Sequence, residues 1–287
     1  PVIDDPEYGY SFFSDNVLSS FSNVLTYTYN RTDKSHTLGV GSSFAGWFPV
    51  LSMNAEESFS RTIDTAFGKP VSYNSAKVSA GISVPLRFVG GRTNEFLSFG
   101  AGYNIEQYYY RGVGKNVFDN KAINYLNVFL NFSNVGQQAK QHINPRWAQS
   151  ISLNYRDAFN FRESHKFVVH SSFYFPGIFP NHSLVIQTAY QKRDTLADLF
   201  SKNFSYSRGY EALSTRRMYK IGANYHFPLV YPDWGFSNIL YFQRIRANAF
   251  YDYTSAKARV NGLLTEIKSR STGAEIYFDT KVWNALP

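Results

Sequence analysis

The amino-acid sequence predicts an all-β protein: a transmembrane, antiparallel up-and-down β-barrel with about 12 strands in this chain and about 14–16 in the full protein. Three observations support this fold class. Apolar and polar residues alternate with period two over segments of about ten residues or more, the length at which a tilted strand crosses a bilayer. Aromatic residues make up 18% of the chain, with 26 Phe and 22 Tyr. Compact links between the segments alternate with longer polar links, as in outer-membrane barrels.

The period-two alternation is clearest in residues 219–228, 237–254 and 273–282. In each of these segments one set of alternate residues is mainly apolar and the other mainly polar, so each strand has two different faces. Soluble strands are usually about half as long. The other predicted strands are residues 22–31, 35–45, 50–62, 75–86, 94–111, 123–133, 146–155, 165–175 and 182–192.

The links between the predicted strands differ in length at the two ends. The compact links are residues 46–49, 88–91, 176–180 and 231–235, and the longer polar links lie around 64–74, 112–121, 193–214 and 256–270. Short turns face the periplasm in outer-membrane barrels, so the longer loops are expected to face outside. The link at 134–145 is too long for the short-link end to which the strand count assigns it.

The domain organisation follows from these segments. Residues 1–20 are predicted to be a periplasmic entry segment, and residues 21–287 an outer-membrane β-barrel domain. The sequence ends in Asn284-Ala285-Leu286-Pro287, which resembles a turn, so the barrel is expected to lack its last strands. Aromatic residues near strand ends are expected at the membrane interface. These residues are Trp47, Phe48, Tyr231, Trp234 and Trp283.

Composition argues against several other classes of protein. No apolar run reaches the roughly 18 residues that a membrane-spanning helix needs, and the first residues lack the pattern of a signal peptide. The chain has no Cys, so it has no disulfide framework and no thiol site. Its net charge of +8 is spread thinly, so no nucleic-acid partner is expected. The strands of a soluble β-sandwich or propeller would also show alternating apolar and polar residues, but the strand lengths and aromatic content favour the membrane barrel.

No motif in the sequence points to an enzyme. The patterns Gly-x-Ser-x-Gly and His-Glu-x-x-His and the phosphate-binding loop are missing, and the six His residues are scattered. A phospholipase-type barrel would need Ser, His and Asn or Asp together, and nothing in the sequence brings them together. A non-enzymatic protein with no cofactor, no metal and no catalytic residue is therefore expected.

A series of short motifs lies between residues 204 and 281. Arg208-Gly209-Tyr210 lies in a long loop, and Phe227-Pro228 and Asp233-Trp234-Gly235 follow it. Phe250-Tyr251-Asp252 and Gly273-Ala274-Glu275 then lie on alternating strands. In this order and spacing the series resembles the BamA/TamA/FhaC superfamily of outer-membrane insertases and translocators. That superfamily has an inward-folded loop with an Arg-Gly-Phe/Tyr tip, a Phe-x-Asp strand and a Gly-x-Glu strand.

The resemblance implies that the Arg208 loop folds into the barrel lumen. The guanidinium then needs a carboxylate, and Asp252 lies on the polar face of a nearby strand, with Glu275 one strand further on the same side. Alternatively, Arg208 lies at the tip of an ordinary surface loop and Asp252 is a solvated charge. Thr254 stands where the superfamily commonly has Gly.

The resemblance also implies a function. The chain is expected to be an integral outer-membrane protein that inserts proteins into the membrane or translocates them across it, or a subunit of such a machine. Its partners would be outer-membrane lipid and other outer-membrane or periplasmic proteins. One alternative is a passive, anion-favouring pore, and another is a structural barrel that anchors a larger complex. The polar residues predicted to line the lumen are Lys220, Asn224, Arg244 and Arg246.

Overall fold

The structure is a computed structural model that describes residues 7–64, 70–116, 118, 120–139, 141–160, 163–194, 199–200, 204–211, 215–237, 239–260 and 263–282. These residues form an all-β fold with 14 antiparallel strands and a short 3-10 turn at Gly112–Asn116. The strands are β1 (Glu7–Asp15), β2 (Phe21–Asn30), β3 (Ser35–Phe44), β4 (Val50–Asp64), β5 (Pro70–Val89), β6 (Thr93–Tyr110), β7 (Ile123–Gly136), β8 (Ala148–Ala158), β9 (Ser164–Pro176), β10 (Ser183–Arg193), β11 (Arg217–Val230), β12 (Trp234–Phe236), β13 (Leu240–Val260) and β14 (Leu263–Val282).

The strands pair in sequence order. β1 to β11 form a continuous series, β11 pairs with β13, and β13 pairs with β14. The short β12 pairs with the first residues of β13. Among the described strands, β1 and β14 each pair on one side only. The predicted all-β, antiparallel up-and-down fold is confirmed, with 14 strands in place of about 12.

The additional strand at the N-terminal end corrects one predicted boundary. Glu7–Asp15, which sequence analysis placed in an entry segment of residues 1–20, instead forms β1 and pairs with β2 along its whole length. Tyr8, Tyr10 and Phe12 alternate there with smaller residues, so this segment also has the period of a strand. Residues 1–6 lie outside the described part of the chain.

A second correction concerns residues 256–270, predicted to be a long loop. β13 runs to Val260 and β14 starts at Leu263, and these two residues pair with each other. The two strands have 21 and 20 residues, so this hairpin is the longest in the described chain. Trp283, predicted to lie at the membrane interface, and residues 284–287, on which the expectation of further strands depends, lie outside the described residues.

The burial of side chains is inverted relative to a soluble protein. Among the described residues, buried polar side chains outnumber buried hydrophobic ones, and many large hydrophobic side chains are exposed. β11 shows the pattern clearly, with Lys220 and Asn224 buried and Tyr219 and Ile221 exposed. Soluble proteins rarely bury Lys and Asn in this way. No helix in the described part of the chain is long and apolar enough to cross a membrane.

The chain forms two compact units. Unit 1 consists of Pro1–Pro85, Ser98–Phe129 and Tyr155–His165, and unit 2 of Leu86–Leu97, Leu130–Asn154 and Lys166–Pro287. In unit 1, hydroxyl and amide side chains bond across neighbouring strands: Thr37 and Ser58 are 2.9 Å apart, and Ser42 donates to Asn23 at 2.7 Å. Unit 2 contains the whole motif series, from the Arg208 loop to Glu275.

Candidate functional site

The candidate site lies in unit 2, where the segment between β10 and β11 packs against the polar faces of β11, β13 and β14. Phe204 of this segment is buried in a small apolar cluster with Ala189, Met218 and Ala256, and Tyr206 packs against it. This cluster holds the base of the segment against the sheet. The described residues 204–210 of this segment therefore lie against the sheet.

Arg208 stands in a tight turn at the tip of this segment. The Tyr210 amide donates to the Ser207 carbonyl at 3.3 Å, and Gly209 has a φ of +80°. A positive φ at the third residue of a four-residue turn is typical of a type II turn and favours Gly. The Arg-Gly sequence thus combines the charged side chain with the residue that permits the turn.

The Arg208 guanidinium contacts three strands. Its Nε lies 2.9 Å from Oδ2 of Asp252 on β13, and its Nη1 lies 2.9 Å from Oε1 of Glu275 on β14. Its Nη2 donates to Oδ1 of Asn224 on β11. Its backbone amide also donates to Asp252 Oδ2 at 3.2 Å. All the guanidinium nitrogens of Arg208 therefore have partners, and the geometry fixes the loop tip in place.

The electrostatic environment keeps Arg208 charged. Burial lowers the pKa of the guanidinium, but the hydrogen bonds to Glu275 and Asp252 outweigh burial and raise the pKa above its ordinary value. The guanidinium carbon also lies 3.7 Å from the centre of the Phe250 ring, within the range of a cation–π contact. The two carboxylates and the ring therefore all stabilise the charged form.

Asp252 is the most enclosed group of the site, with 0% of its side chain exposed. Its second oxygen, Oδ1, lies 3.7 Å from the Lys220 ammonium, which also donates to the Tyr206 carbonyl at 3.0 Å. One buried carboxylate therefore faces two cations. Lys220, which was predicted to line the lumen, connects β11 to both Asp252 and the loop.

Two glycines make room for these groups. Gly222 on β11 pairs with Asp252, and a Cβ at Gly222 would lie 2.7 Å from Asp252 Oδ1. Gly273 on β14 pairs with Phe250, and a Cβ there would lie 2.8 Å from the Phe250 ring. The Gly of the Gly-x-Glu motif therefore accommodates the Phe of the Phe-x-Asp motif. The two motifs form one packed unit beneath Arg208.

Asn248 completes the network and was not identified as a site residue from the sequence. Its Nδ2 donates to Glu275 Oε2 at 2.9 Å and to Asn224 Oδ1 at 3.1 Å, and Tyr277 donates to Glu275 Oε2 at 2.5 Å. Asn248 lies on the polar face of its strand four residues before Asp252. That spacing was the one available signal, because residues on one strand face recur every second position.

Thr254 provides a further attachment. Its Oγ1 lies 2.7 Å from Ser207 Oγ, and both residues are buried. A Gly, the residue common at this position in the superfamily that the sequence resembles, could not make this bond. This difference from the superfamily pattern therefore adds a hydrogen bond between β13 and the loop.

Thr254→Val is expected to lower the free energy of unfolding by about 1–2 kcal/mol, because it leaves the buried Ser207 hydroxyl without its partner. The change keeps the branched shape of the side chain. It can be measured by urea unfolding of the detergent-solubilised protein. Thr272→Val is a suitable control, because the Thr272 hydroxyl is exposed and donates to the Phe250 carbonyl. Equal losses in the two variants would contradict a special role for Thr254.

Arg244 and Arg246, the remaining residues predicted to line the lumen, form a second cluster. Arg244 places Nη2 2.7 Å and Nε 2.8 Å from Asp279 Oδ2, and Arg246 places Nε 3.0 Å from Asp279 Oδ1. The Arg246 guanidinium also lies 4.4 Å from the centre of the Tyr277 ring. Neither cation is therefore free to attract anions. Among the described residues, no group of three or more His, Cys, Asp or Glu could hold a metal ion.

Comparison with known proteins shows similarity at the level of fold. No family model and no curated protein matches the sequence. The structure is similar to CdiB from Escherichia coli, with a TM-score of 0.55, 13% identity and coverage of 95% of this chain and 53% of that one. It is also similar to CdiB from Acinetobacter baumannii, with a TM-score of 0.51, 11% identity and coverage of 96% and 51%.

BamA from Haemophilus ducreyi, in a form lacking POTRA domains 1–3, aligns with a TM-score of 0.47 and 11% identity over 96% of this chain and 66% of that one. This chain spans about half the length of the two CdiB chains. The two CdiB likenesses show that the β-barrel fold is shared.

Proposed function

We propose that this chain is a non-enzymatic β-barrel of the bacterial outer membrane that inserts proteins into the membrane or translocates them across it, or is a subunit of such a machine. The observation that carries the proposal is the Arg208 loop, pinned to the polar faces of three strands by Asp252, Glu275 and Asn224. The fold shared with CdiB agrees with it. Outer-membrane lipid and other outer-membrane or periplasmic proteins are the proposed partners.

The distribution of side chains supports a membrane location. Apolar residues such as Ile221, Tyr251 and Ile276 are exposed, while polar residues on the opposite strand faces are buried. Lipid would cover the exposed apolar side chains, which water would not favour. Most strands are also long enough to cross a bilayer at a tilt.

The proposed activity needs no cofactor. Burying the apolar face of a substrate strand in lipid supplies the driving force, provided that its backbone groups are paired. The contribution of this chain would be a fixed polar surface, formed by Arg208 and its partners, beside which a client strand can be held. The loop is suited to this role because both an apolar cluster and ion pairs hold it.

The alternative of a passive anion pore has less support. It required free cations at Lys220, Arg244 and Arg246. Each of these cations faces a carboxylate, Asp252 for the first and Asp279 for the other two. Neutralised cations would attract anions weakly.

Reconstituted protein tests the proposal directly. Liposomes containing wild-type protein should speed the folding of an added, urea-unfolded outer-membrane β-barrel, measured by the shift of its gel mobility before and after heating. Arg208→Ala should reduce this acceleration by about tenfold, because the loop loses its charge-assisted bonds. A purely structural barrel would show no acceleration in either form.

Glu211→Ala is the matched control, because Glu211 is an exposed carboxylate three residues from Arg208. Its acceleration should equal that of the wild type. Equal activity of Arg208→Ala and wild type would contradict the proposed role of the loop, and a steady anion-selective current through wild-type protein in planar bilayers would support the pore.

A further inference from the structure

A group of positive charges lies on the exposed face of unit 2, near the end of the strands at which the Arg208 segment lies. The exposed face is the one that carries Ile221, Tyr251 and Ile276, opposite the buried polar face. The charges come from four strands that are neighbours in the sheet, β10, β11, β13 and β14. We call this group the cationic patch, and its members are Lys192, Arg217, Lys257, Lys268 and Arg270.

The strand register brings the first three cations into one row. Lys192 on β10 pairs with Arg217 on β11, which pairs in turn with Lys257 on β13. Directly paired residues have their side chains on the same face of the sheet. The neighbours of Lys192 along β10, Gln191 and Arg193, are buried on the polar face, so Lys192 points to the exposed face.

The other two cations lie on β14 in the next two rows. Lys268 pairs with Ser255, and Arg270 pairs with Tyr253. Both cations are exposed. From β10 to β14 there are three strand steps, which correspond to about 14 Å, and the three rows extend over a similar distance along the strands. The cations therefore share one compact area of the surface.

The patch contains a single carboxylate, that of Glu266. Its Oε2 lies 3.5 Å from the Lys268 ammonium, and its Oε1 accepts a bond from Ser255 at 2.5 Å. In the described part of the chain, the other four cations of the patch form no ion pair. The patch therefore keeps a large excess of positive charge.

The exposed face changes in character along these strands, away from the patch. Tyrosines come first: the Tyr219 hydroxyl donates to the Tyr253 hydroxyl at 3.4 Å, and the Arg270 guanidinium lies 5.8 Å from the centre of the Tyr253 ring. Ile276 and Phe278 follow on β14, and both are exposed. Charged, then aromatic, then aliphatic side chains match the order of headgroups, interface and hydrocarbon in a lipid layer.

This arrangement fits a lipid better than it fits other anions. Arg binds phosphate oxygens through paired bonds, and Lys binds them as a point charge. Free phosphate or an acidic polypeptide would meet the charges but leave the aliphatic side chains beside the patch exposed to water, whereas acyl chains would cover them. One phosphate group carries about two negative charges at most, so the patch matches a headgroup with more than one phosphate.

We infer that the cationic patch binds the headgroup of a multiply phosphorylated lipid, whose acyl chains lie along Ile276 and Phe278. This inference rests on the membrane location given in the proposed function, and it names the kind of lipid partner. Such binding would hold this end of the four strands at the level of the headgroups.

Native mass spectrometry of the detergent-solubilised protein tests the inference. The probes are a diphosphorylated glycolipid, phosphatidylglycerol with one phosphate, and zwitterionic phosphatidylcholine. The glycolipid should bind about tenfold or more tightly than phosphatidylglycerol, because its second phosphate reaches further cations. Added salt should weaken its binding, since the patch is exposed. Equal affinity for glycolipid and phosphatidylglycerol would contradict the match to more than one phosphate.

Charge variants assign the binding to the patch. Lys257→Gln combined with Arg270→Gln should weaken glycolipid binding by about twentyfold or more, which is about fivefold for each cation removed. Lys281→Gln is the matched control, because Lys281 is an exposed lysine at the opposite end of β14, and it should bind as wild type does. Equal affinities of the double variant and the control would overturn the inference.

Glu266→Gln gives a reading that loss of folding cannot produce. It removes the one carboxylate of the patch and should tighten glycolipid binding by about fivefold. Unchanged or weaker binding would count against the charge argument.

Competitors identify the source of the phosphate. Inorganic phosphate or polyglutamate that displaced the glycolipid at equal charge would overturn the lipid assignment. Failure of wild-type protein to insert into liposomes would overturn the membrane location and this inference with it. Wild-type protein that inserts and speeds the folding of an added barrel, but binds the glycolipid no better than phosphatidylcholine, would overturn this inference alone.

Discussion

Asp252→Ala is expected to lower the free energy of unfolding by about 3–5 kcal/mol, the usual loss when one partner of a buried ion pair is removed. The variant leaves Lys220, whose side chain is 7% exposed, facing Arg208 with no carboxylate between them. Urea unfolding of the detergent-solubilised protein, followed by the heat-dependent shift in gel mobility, measures the loss.

The variant of the other partner, Arg208→Ala, shows how much of the loss comes from the ion pair and how much from removing a side chain. Arg208→Ala should cost less than Asp252→Ala, because the Arg208 side chain is 31% exposed and water can replace part of its contacts. The double variant should lose less than the sum of the two single losses, because the same contact is removed in both. Strictly additive losses would mean that the 2.9 Å contact does not contribute to stability.

Gly222→Ala is expected to cost about 1–3 kcal/mol, the typical penalty for overpacking. The added Cβ would lie 2.7 Å from Asp252 Oδ1, and Asp252 cannot easily move because Arg208 and Lys220 hold it. The Arg208 loop should also become more accessible to protease. Both effects can be followed on the same protein sample.

Gly102→Ala is the control for this change. Gly102 also lies within a strand, but the nearest atom to an added Cβ is the Ala80 carbonyl oxygen at 3.4 Å, an ordinary contact. Its stability should stay within a few tenths of a kcal/mol of wild type or rise slightly, because Ala restricts the unfolded chain. If both variants lose the same stability, the cost comes from strand glycines in general and not from Asp252.

The fold class could be predicted from the sequence because apolar and polar residues alternate along a strand whatever its neighbouring strands are. The same alternation also placed Asp252 and Glu275 on the polar faces of their strands, and the structure brings both to Arg208.

The long hairpin was missed, although Asn261-Gly262, a strong hairpin signal, lies between β13 and β14 in the sequence. Given the pairing of Val260 with Leu263, the strand register alone puts Arg244 opposite Asp279.

Other contacts could not be read from the sequence. The bond between Gln141 and Arg244 joins residues 103 positions apart and depends on the path of the link between β7 and β8, because β8 and β13 are not neighbours in the sheet. The cation–π contact of Arg208 with Phe250 depends on the turn at Gly209, whose direction no periodicity encodes. Periodicity assigns a face to each residue, but it does not say which loop will lie against that face.

The bond from Arg208 to Glu275 also has a consequence for assembly of the sheet. β14 has a described strand partner on one side only, so backbone pairing with β13 alone would tolerate alternative alignments. A slip of one residue would turn Glu275 to the opposite face, and a slip of two would move it by about 7 Å, out of reach of the guanidinium. A side chain from a loop that precedes β11 thereby acts together with the pairs of Arg244 and Arg246 with Asp279 to hold the last described strand in a single alignment.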